Sequence, residues 1–241
     1  MVDIHCHILP GLDDGSDNIE ESLRMARLAV DGGTTAIVTT PHSNIPGSNQ
    51  NYFGREYAEK FKELNSRLKE ENIPLKLYPG NEIYADENFV ELIKSRKLLT
   101  LNNSDYALVE FDFVEQSDSV YRKLSSMIAE GYIPVIAHPE RYAFVIEDAH
   151  APLKLKEMGC LLQINKGSLK GSFGRGAYVA SHAIIGRELA DVVASDAHSP
   201  YMRTPFLADA HDIITELHSD YYADLLLSKN PMNILNNKKT N

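Results

Sequence analysis

The chain has no tryptophan, only two cysteines, and no apolar run approaching the roughly 20 residues a membrane-spanning helix needs. Each shortage excludes something. Cys6 and Cys160 cannot build a disulfide framework and suit a reducing compartment. No basic-then-apolar leader opens the sequence, so a soluble cytoplasmic protein is expected. Cations are scarce as well, with 24 Lys+Arg against 34 Asp+Glu and a formal net charge of -10. Such a surface repels nucleic acid and anionic membranes, so neither a nucleic-acid partner nor stable membrane insertion is expected. Two catalytic signatures are missing too. Six residues after the cysteines stand Leu12 and Lys166 rather than arginine, which excludes C-x5-R cysteine chemistry. The absence of G-x-x-x-x-G-K-[ST] disfavours a nucleotide triphosphatase.

What remains is an ordinary globular composition, 43% hydrophobic and 24% charged over 241 residues, enough for one good core. Strand-like apolar runs at 2–9, 35–39, 75–78, 107–111, 133–137, 160–164 and 191–195 alternate with helix-like segments. Asn18 with an acid three residues on predicts a helix start, and Ile19, Leu23, Ala26 and Val30 recur at helical spacing. Further helices are predicted at 54–71, 118–130, 151–158, 175–189, 205–218 and 220–228. The inner strands are nearly continuous apolar runs, which suits a parallel sheet buried on both faces. About seven βα units point to a closed or nearly closed barrel, with a doubly wound open sheet as the alternative. One domain over 1–235 is expected, followed by a polar tail, 236–241, that frays.

The chemistry is concentrated where strands end. In His5-Cys6-His7, alternation along a strand turns both imidazoles to one side and Cys6 to the other. Two imidazoles on one face are a ready ligand pair for Zn, Mn or Fe. Asp13-Asp14 follow in the next loop, and later strands run into Pro41-His42, Asn81-Glu82, His138-Pro139-Glu140-Arg141 and Asp196-Ala197-His198. Taken singly, Asp14 is a loop acid as readily as a ligand, His42 a turn residue, and Glu82 a helix-start acid. Glu110, inside an apolar strand, needs a cation or another strong partner. Together, nine ligand-type residues converging on one barrel mouth predict a multinuclear metal site.

These residues resemble the PHP (polymerase and histidinol phosphatase) superfamily. The series His5-Cys-His7, Asp13-Asp14-Gly15, Thr40-Pro-His42, Gly80-Asn-Glu82, Glu110-Phe111, Ala137-His-Pro-Glu-Arg141 and Ala194-Ser-Asp-Ala-His198 is closer still to its bacterial protein-tyrosine phosphatases of capsule and exopolysaccharide synthesis. The resemblance implies a distorted (β/α)7 TIM-like barrel, with its metal site at the C-terminal ends of the strands. It implies three divalent metals, Mn²⁺ with Fe or Zn as alternatives. One would be held by His5, His7, Glu82 and Asp196, a second by Glu82, Glu110 and His138, and a third by Asp14, His42 and His198. Arg141 and Arg203 match the family's phosphate-gripping arginines, with an ordinary surface residue as the less favoured reading of Arg203. The implied activity is metal-dependent phosphotyrosine hydrolysis, on the Tyr-rich tail of a cognate bacterial tyrosine kinase that controls capsular or exopolysaccharide assembly. Three rivals stand beside it: a small-molecule phosphomonoesterase such as histidinol-phosphate phosphatase, a non-catalytic metal-binding scaffold, and a nuclease module. The loop at 43–57 could line the mouth and stack on a phenol ring, or be solvated and mobile. The general acid, the docking surface and any oligomer are left open.

Overall fold

The computed structural model describes residues 1–48 and 50–240. Nine parallel strands form it: β1 (Val2–Cys6), β2 (Ala36–Thr39), β3 (His42–Ser43), β4 (Lys76–Pro79), β5 (Glu82–Tyr84), β6 (Tyr106–Glu110), β7 (Ile133–Ala137), β8 (Leu161–Asn165) and β9 (Val192–Ala194). They pair as one sheet of order β1-β2-β4 and another of order β3-β5-β6-β7-β8-β9. The sheets share two broken staves, since β2 continues into β3 and β4 into β5. Thr40-Pro41 interrupts the first, because proline has no N–H to give a ladder. Gly80-Asn81 interrupts the second, where the backbone passes so near Val38 that an added Cβ would lie 2.8 Å from Val38 Cγ1.

Counted in this way there are seven staves. The last returns to the first: Cys6 bridges Ala197, His7 N–H donates to Ala197 O at 2.9 Å, and Asp196 N–H donates to His5 O at 2.8 Å. The result is the distorted, curled parallel barrel expected from the alternation. Both faces of its strands are apolar. Leu108, Val135, Ala137, Val192 and Ala194 fall in one buried cluster, whereas their neighbours Val109, Ile136, Leu162 and Val193 fall in another that includes Leu124, Met127, Ile184 and Ile185 from the surrounding helices. Each such fully buried aliphatic side chain stabilises the fold by about 1.5–3 kcal/mol.

The first helix, Ile19–Asp31, starts where expected, with the Asn18 side chain accepting from Glu21 N–H at 3.1 Å. The last helices differ from expectation. A helix at Ala208–Leu217 is followed by Asp220–Asp224, a π-helical turn at Leu225–Lys229, and a further helix, Asn230–Leu235. Pro231 cannot donate to Leu227 and its ring crowds that carbonyl, so the ladder widens one turn before it. Beyond this helix, Asn237 Oδ1 accepts from Asp105 N–H and Lys238 O accepts from the Tyr106 hydroxyl. Asn241, the end of the tail, lies outside the described residues. Among those described, no helix is long and apolar enough to cross a membrane.

Candidate metal centre

Strand alternation places the first two ligand candidates as predicted. His5 and His7 are fully buried on one side of the end of β1, while Cys6 packs among Ile8, Leu23 and Ile37 on the other. Each ring is held from behind. Gln163 Oε1 accepts from His5 Nδ1 at 2.8 Å, and Asp13 Oδ2 accepts from His7 Nδ1 at 2.7 Å. An accepting oxygen fixes a proton on Nδ1, so each Nε2 faces the barrel mouth and offers a lone pair there when the ring is neutral. The two Nε2 atoms are 3.2 Å apart.

Glu82 lies at the hub. Its Oε1 is 2.9 Å from His138 Nε2, and its Oε2 lies 3.1, 3.2 and 3.0 Å from His5 Nε2, His7 Nε2 and His42 Nδ1. Asp196 Oδ1 is 3.4 Å from His5 Nε2 and 3.5 Å from His7 Nε2. Glu110 Oε1 accepts from His42 Nδ1 at 2.8 Å. Asp14, the exposed outer member, approaches His42 Nε2 at 3.6 Å and His198 Nε2 at 3.4 Å. All nine sequence-predicted residues therefore meet at one mouth. Four sets offer ligand atoms within 4.8 Å of one another: His7-Asp14-His42-His198, His5-His7-Asp196, His5-Glu82-His138 and His42-Glu82-Glu110. These sets cut across the three that the resemblance implies, with His5 reaching His138 and His42 reaching Glu110 through Glu82.

The backbone bends to deliver these groups. His138, Asp196 and Arg203 have φ of 35°, 48° and 50°, a left-handed region that costs a residue with a Cβ about 1–2 kcal/mol. Surrounding bonds hold them there, including Asp196 N–H to His5 O and His198 N–H to Arg203 O at 3.0 Å. Gly15 lies against the same strand end, where an added Cβ would fall 2.3 Å from His7 O.

Electrostatics bind the cluster into one unit. Burial pulls the His7 pKa down, but the Asp13 carboxylate outweighs it and holds the ring well above the usual histidine value. His42 is likewise raised, burial being overcome by Glu82 and Glu110 together. Burial pushes Glu82 up, yet His5 and His42 bring it well below the ordinary carboxylate range. His198 is lowered to about 4 by burial and by neighbouring His7, so it stays neutral.

Such a concentration of buried donors suits divalent cations. Glu82 Oε2 and His198 Nε2 are buried without a hydrogen bond of good geometry. The facing lone pairs of His5 and His7 repel unless a proton or a metal lies between them. Mixed imidazole and carboxylate donors are the chemistry of Zn, Mn and Fe sites. The residues present therefore fit metal ions.

Two arginines border the cluster. Arg203 Nη2 is 2.5 Å from Asp196 Oδ1, and Arg141 Nη1 is 3.6 Å from Asp196 Oδ2. The Arg141 guanidinium lies within cation–π distance of both Phe113 and Phe173. Sequence reasoning gave no role to Asp13, Gln163, Asn165 or Phe173. Gln163 and Asn165 had a signal, two polar residues spaced by two in the apolar strand β8, whose side chains orient His5 and hydrogen-bond Asp196. Within the 43–57 loop, Asn51 Nδ2 donates to Leu12 O and His42 O, tying the loop to the mouth, while the Phe53 ring packs edge-on against Tyr57. Asn49, in that loop, lies outside the described residues.

A parallel barrel with a histidine-carboxylate cluster at its C-terminal mouth defines a class, the TIM-like metal-dependent hydrolases. The family match is narrower: residues 1–236 fit the family described as capsular polysaccharide synthesis, CpsB/CapC, and the chain belongs to it. It is 40% identical over 200 residues to the tyrosine-protein phosphatase YwqE of Bacillus subtilis, covering 83% of this chain and 78% of the relative. It is 32% identical over 243 residues to the tyrosine-protein phosphatase CpsB of Streptococcus pneumoniae, covering 98% of each. A crystal structure from work on YwqE and CpsB, there called unique metal-dependent tyrosine phosphatases, superposes with TM-score 0.90 at 34% identity, covering 100% of this chain and 96% of that one. Histidinol phosphate phosphatase from Lactococcus lactis shares the fold, with TM-score 0.57 at 16% identity over 90% of this chain and 93% of its own.

Proposed function

We propose that this chain is a metal-dependent protein-tyrosine phosphatase of capsular polysaccharide synthesis. Its substrate is a phosphotyrosine protein, the Tyr-rich tail of a cognate bacterial tyrosine kinase. The observation that most supports the reading is the meeting of nine imidazole and carboxylate side chains beside Arg141 and Arg203 at one barrel mouth. In this reading His5, His7, Asp14, His42, Glu82, Glu110, His138, Asp196 and His198 hold three divalent ions, Mn²⁺ by preference.

Bound metals supply Lewis-acid activation of water and neutralise the phosphate dianion. The protein's own groups do the rest. Gln163, Asp13 and Glu110 hold protons on His5 Nδ1, His7 Nδ1 and His42 Nδ1, so these rings keep fixed orientations. Arg141 and Arg203 present planar forks that match phosphate oxygens bidentately and stabilise charge spread over the equatorial oxygens. A phenolate leaving group, with a pKa of about 10, needs less protonation than an alkoxide, so phosphotyrosine makes a small demand on a general acid.

The test compares initial rates on a phosphotyrosine peptide and on histidinol phosphate, with protein stripped and reloaded with Mn²⁺ and with the variants His138→Ala and Arg141→Ala. Peptide turnover that needs the metal and both side chains is expected, with histidinol phosphate left intact. Preference for histidinol phosphate would overturn the substrate assignment, and metal-independent turnover would overturn the mechanism.

A further inference from the structure

Phe173 stands just before the helix Gly174–Gly186, half-buried, with no part in metal binding. The ζ carbon of Arg141 lies 4.2 Å from the centroid of its ring and 4.4 Å from that of Phe113, so this guanidinium has two aromatic neighbours at cation–π distance. The ζ carbon of Arg203 lies 5.5 Å from the same Phe173 ring. One aromatic ring therefore touches both arginines, which come from loops more than 60 residues apart in sequence.

The ring has a made-to-measure seat. An added Cβ on Gly167 would lie 2.5 Å from Phe173 Cε2, so only glycine leaves room for the ring there. Asn165 anchors the seat to the metal cluster, accepting from Gly167 N–H at 2.8 Å while its amide donates to Asp196. Seat, ring, arginines and cluster form one contiguous unit.

An aromatic ring suits this task better than a carboxylate. A carboxylate would hold an arginine by taking up its N–H groups and cancelling its charge. The ring face attracts the cation through its quadrupole without taking up any N–H group, so beyond the contacts of Arg203 Nη2 and Arg141 Nη1 with Asp196 it occupies no further donor. Resting on the proposed phosphatase activity of the same site, we infer that Phe173 is a positioning residue that aims Arg141 and Arg203 together at the substrate phosphate. It touches neither metal nor reacting atoms. It sets the direction of the two forks before the phosphate arrives, so less ordering remains to be done on binding.

The test uses the full chain loaded with Mn²⁺ and the variants Phe173→Met, Phe173→Tyr and Gly167→Ala. Methionine keeps apolar bulk but removes the ring, and tyrosine restores the ring. Calorimetry gives the Kd of inorganic phosphate, kinetics on a phosphotyrosine peptide give KM and kcat, and elemental analysis gives metal content. Phe173→Met is expected to raise the phosphate Kd and the peptide KM by about 2-fold to 30-fold, the range of one to two cation–π contacts. The kcat should fall by less than KM rises, because the part of the grip already made in the ground state appears in KM. Phe173→Tyr should restore both, and Gly167→Ala, which displaces the ring, should weaken phosphate binding as Phe173→Met does. An unchanged phosphate Kd in Phe173→Met would overturn the inference, as would a loss that follows lost metal. Weaker phosphate binding in a protein that never hydrolyses phosphotyrosine would keep the platform and overturn the phosphatase reading instead.

Discussion

His5 Nε2 and His7 Nε2 stand 3.2 Å apart and face the same space, because Gln163 and Asp13 accept from the far nitrogens. Two lone pairs cannot rest at that distance without a positive charge between them. His5, His7, Glu82 and Asp196 would hold a cation there, and its charge would remove the repulsion. Loading with Mn²⁺ at 100 times its Kd should stabilise the fold by about 2.7 kcal/mol. In a domain of this size that is a rise in Tm of about 5–10 °C. Scanning calorimetry of chelator-stripped and reloaded protein checks this, and equal Tm values would remove the metal from the structure's account.

The histidines also give metal stabilisation a direction in pH. His7 and His42 have raised folded-state values, so in stripped protein their contribution is complete below the ordinary histidine pKa and is lost as pH rises through the raised values. In loaded protein the metal replaces those protons, so falling pH competes with binding. The difference in Tm between loaded and stripped protein should therefore widen from about pH 5.5 to 8. Loading at neutral pH should release protons, read as a calorimetric heat that changes with the buffer's ionisation enthalpy. A pH-independent difference would contradict the assignment of these rings as ligands.

Gln163 and Asp13 act on the site through the imidazoles they hold and through the backbone N–H groups of His138 and His42, which they accept from. Gln163→Leu and Asp13→Ala should each lower metal affinity about 10-fold to 100-fold, the usual effect of removing a ligand's hydrogen-bond partner. Competition against a fluorescent chelator measures the loss. Affinities matching the parent protein would mean that neighbouring packing alone orients the rings.

Gly15 tests the strand end itself. Its missing Cβ leaves room for His7, whose backbone oxygen and Cβ would otherwise lie 2.3 and 2.5 Å away. Backbone cannot swing aside as a side chain can. Gly15→Ala should therefore destabilise the protein by about 1–3 kcal/mol and displace His7, with loss of bound metal. Urea unfolding together with metal analysis distinguishes this from a merely crowded loop, which would lose stability and keep its metal.

The site was legible in the sequence to the extent that it depends on local rules. Alternation placed His5 and His7 together and sent Cys6 to the core, and strand ends supplied Asp14, His42, Glu82, His138, Asp196 and His198. Glu110 was legible because a carboxylate in an apolar strand demands a partner. Phe173 was not, since an aromatic residue before a helix has no local mark that separates it from packing. Its role depends on two arginines that only the barrel brings to its ring.

The same division holds for the fold. Continuous apolar runs alternating with amphipathic segments determined a parallel α/β fold, with a barrel preferred to an open doubly wound sheet, because period and composition are properties of neighbours along the chain. Sequence alone also determined which residue types could be ligands. Tertiary structure decided which of them come within reach of one another, with His5 near His138 and His42 near Glu110 about Glu82. It broke two staves at Pro41 and Gly80, and it brought β9 back beside β1. Those choices depend on the curvature of the closed sheet and on contacts between residues as far apart as His5 and Asp196, which no local pattern encodes.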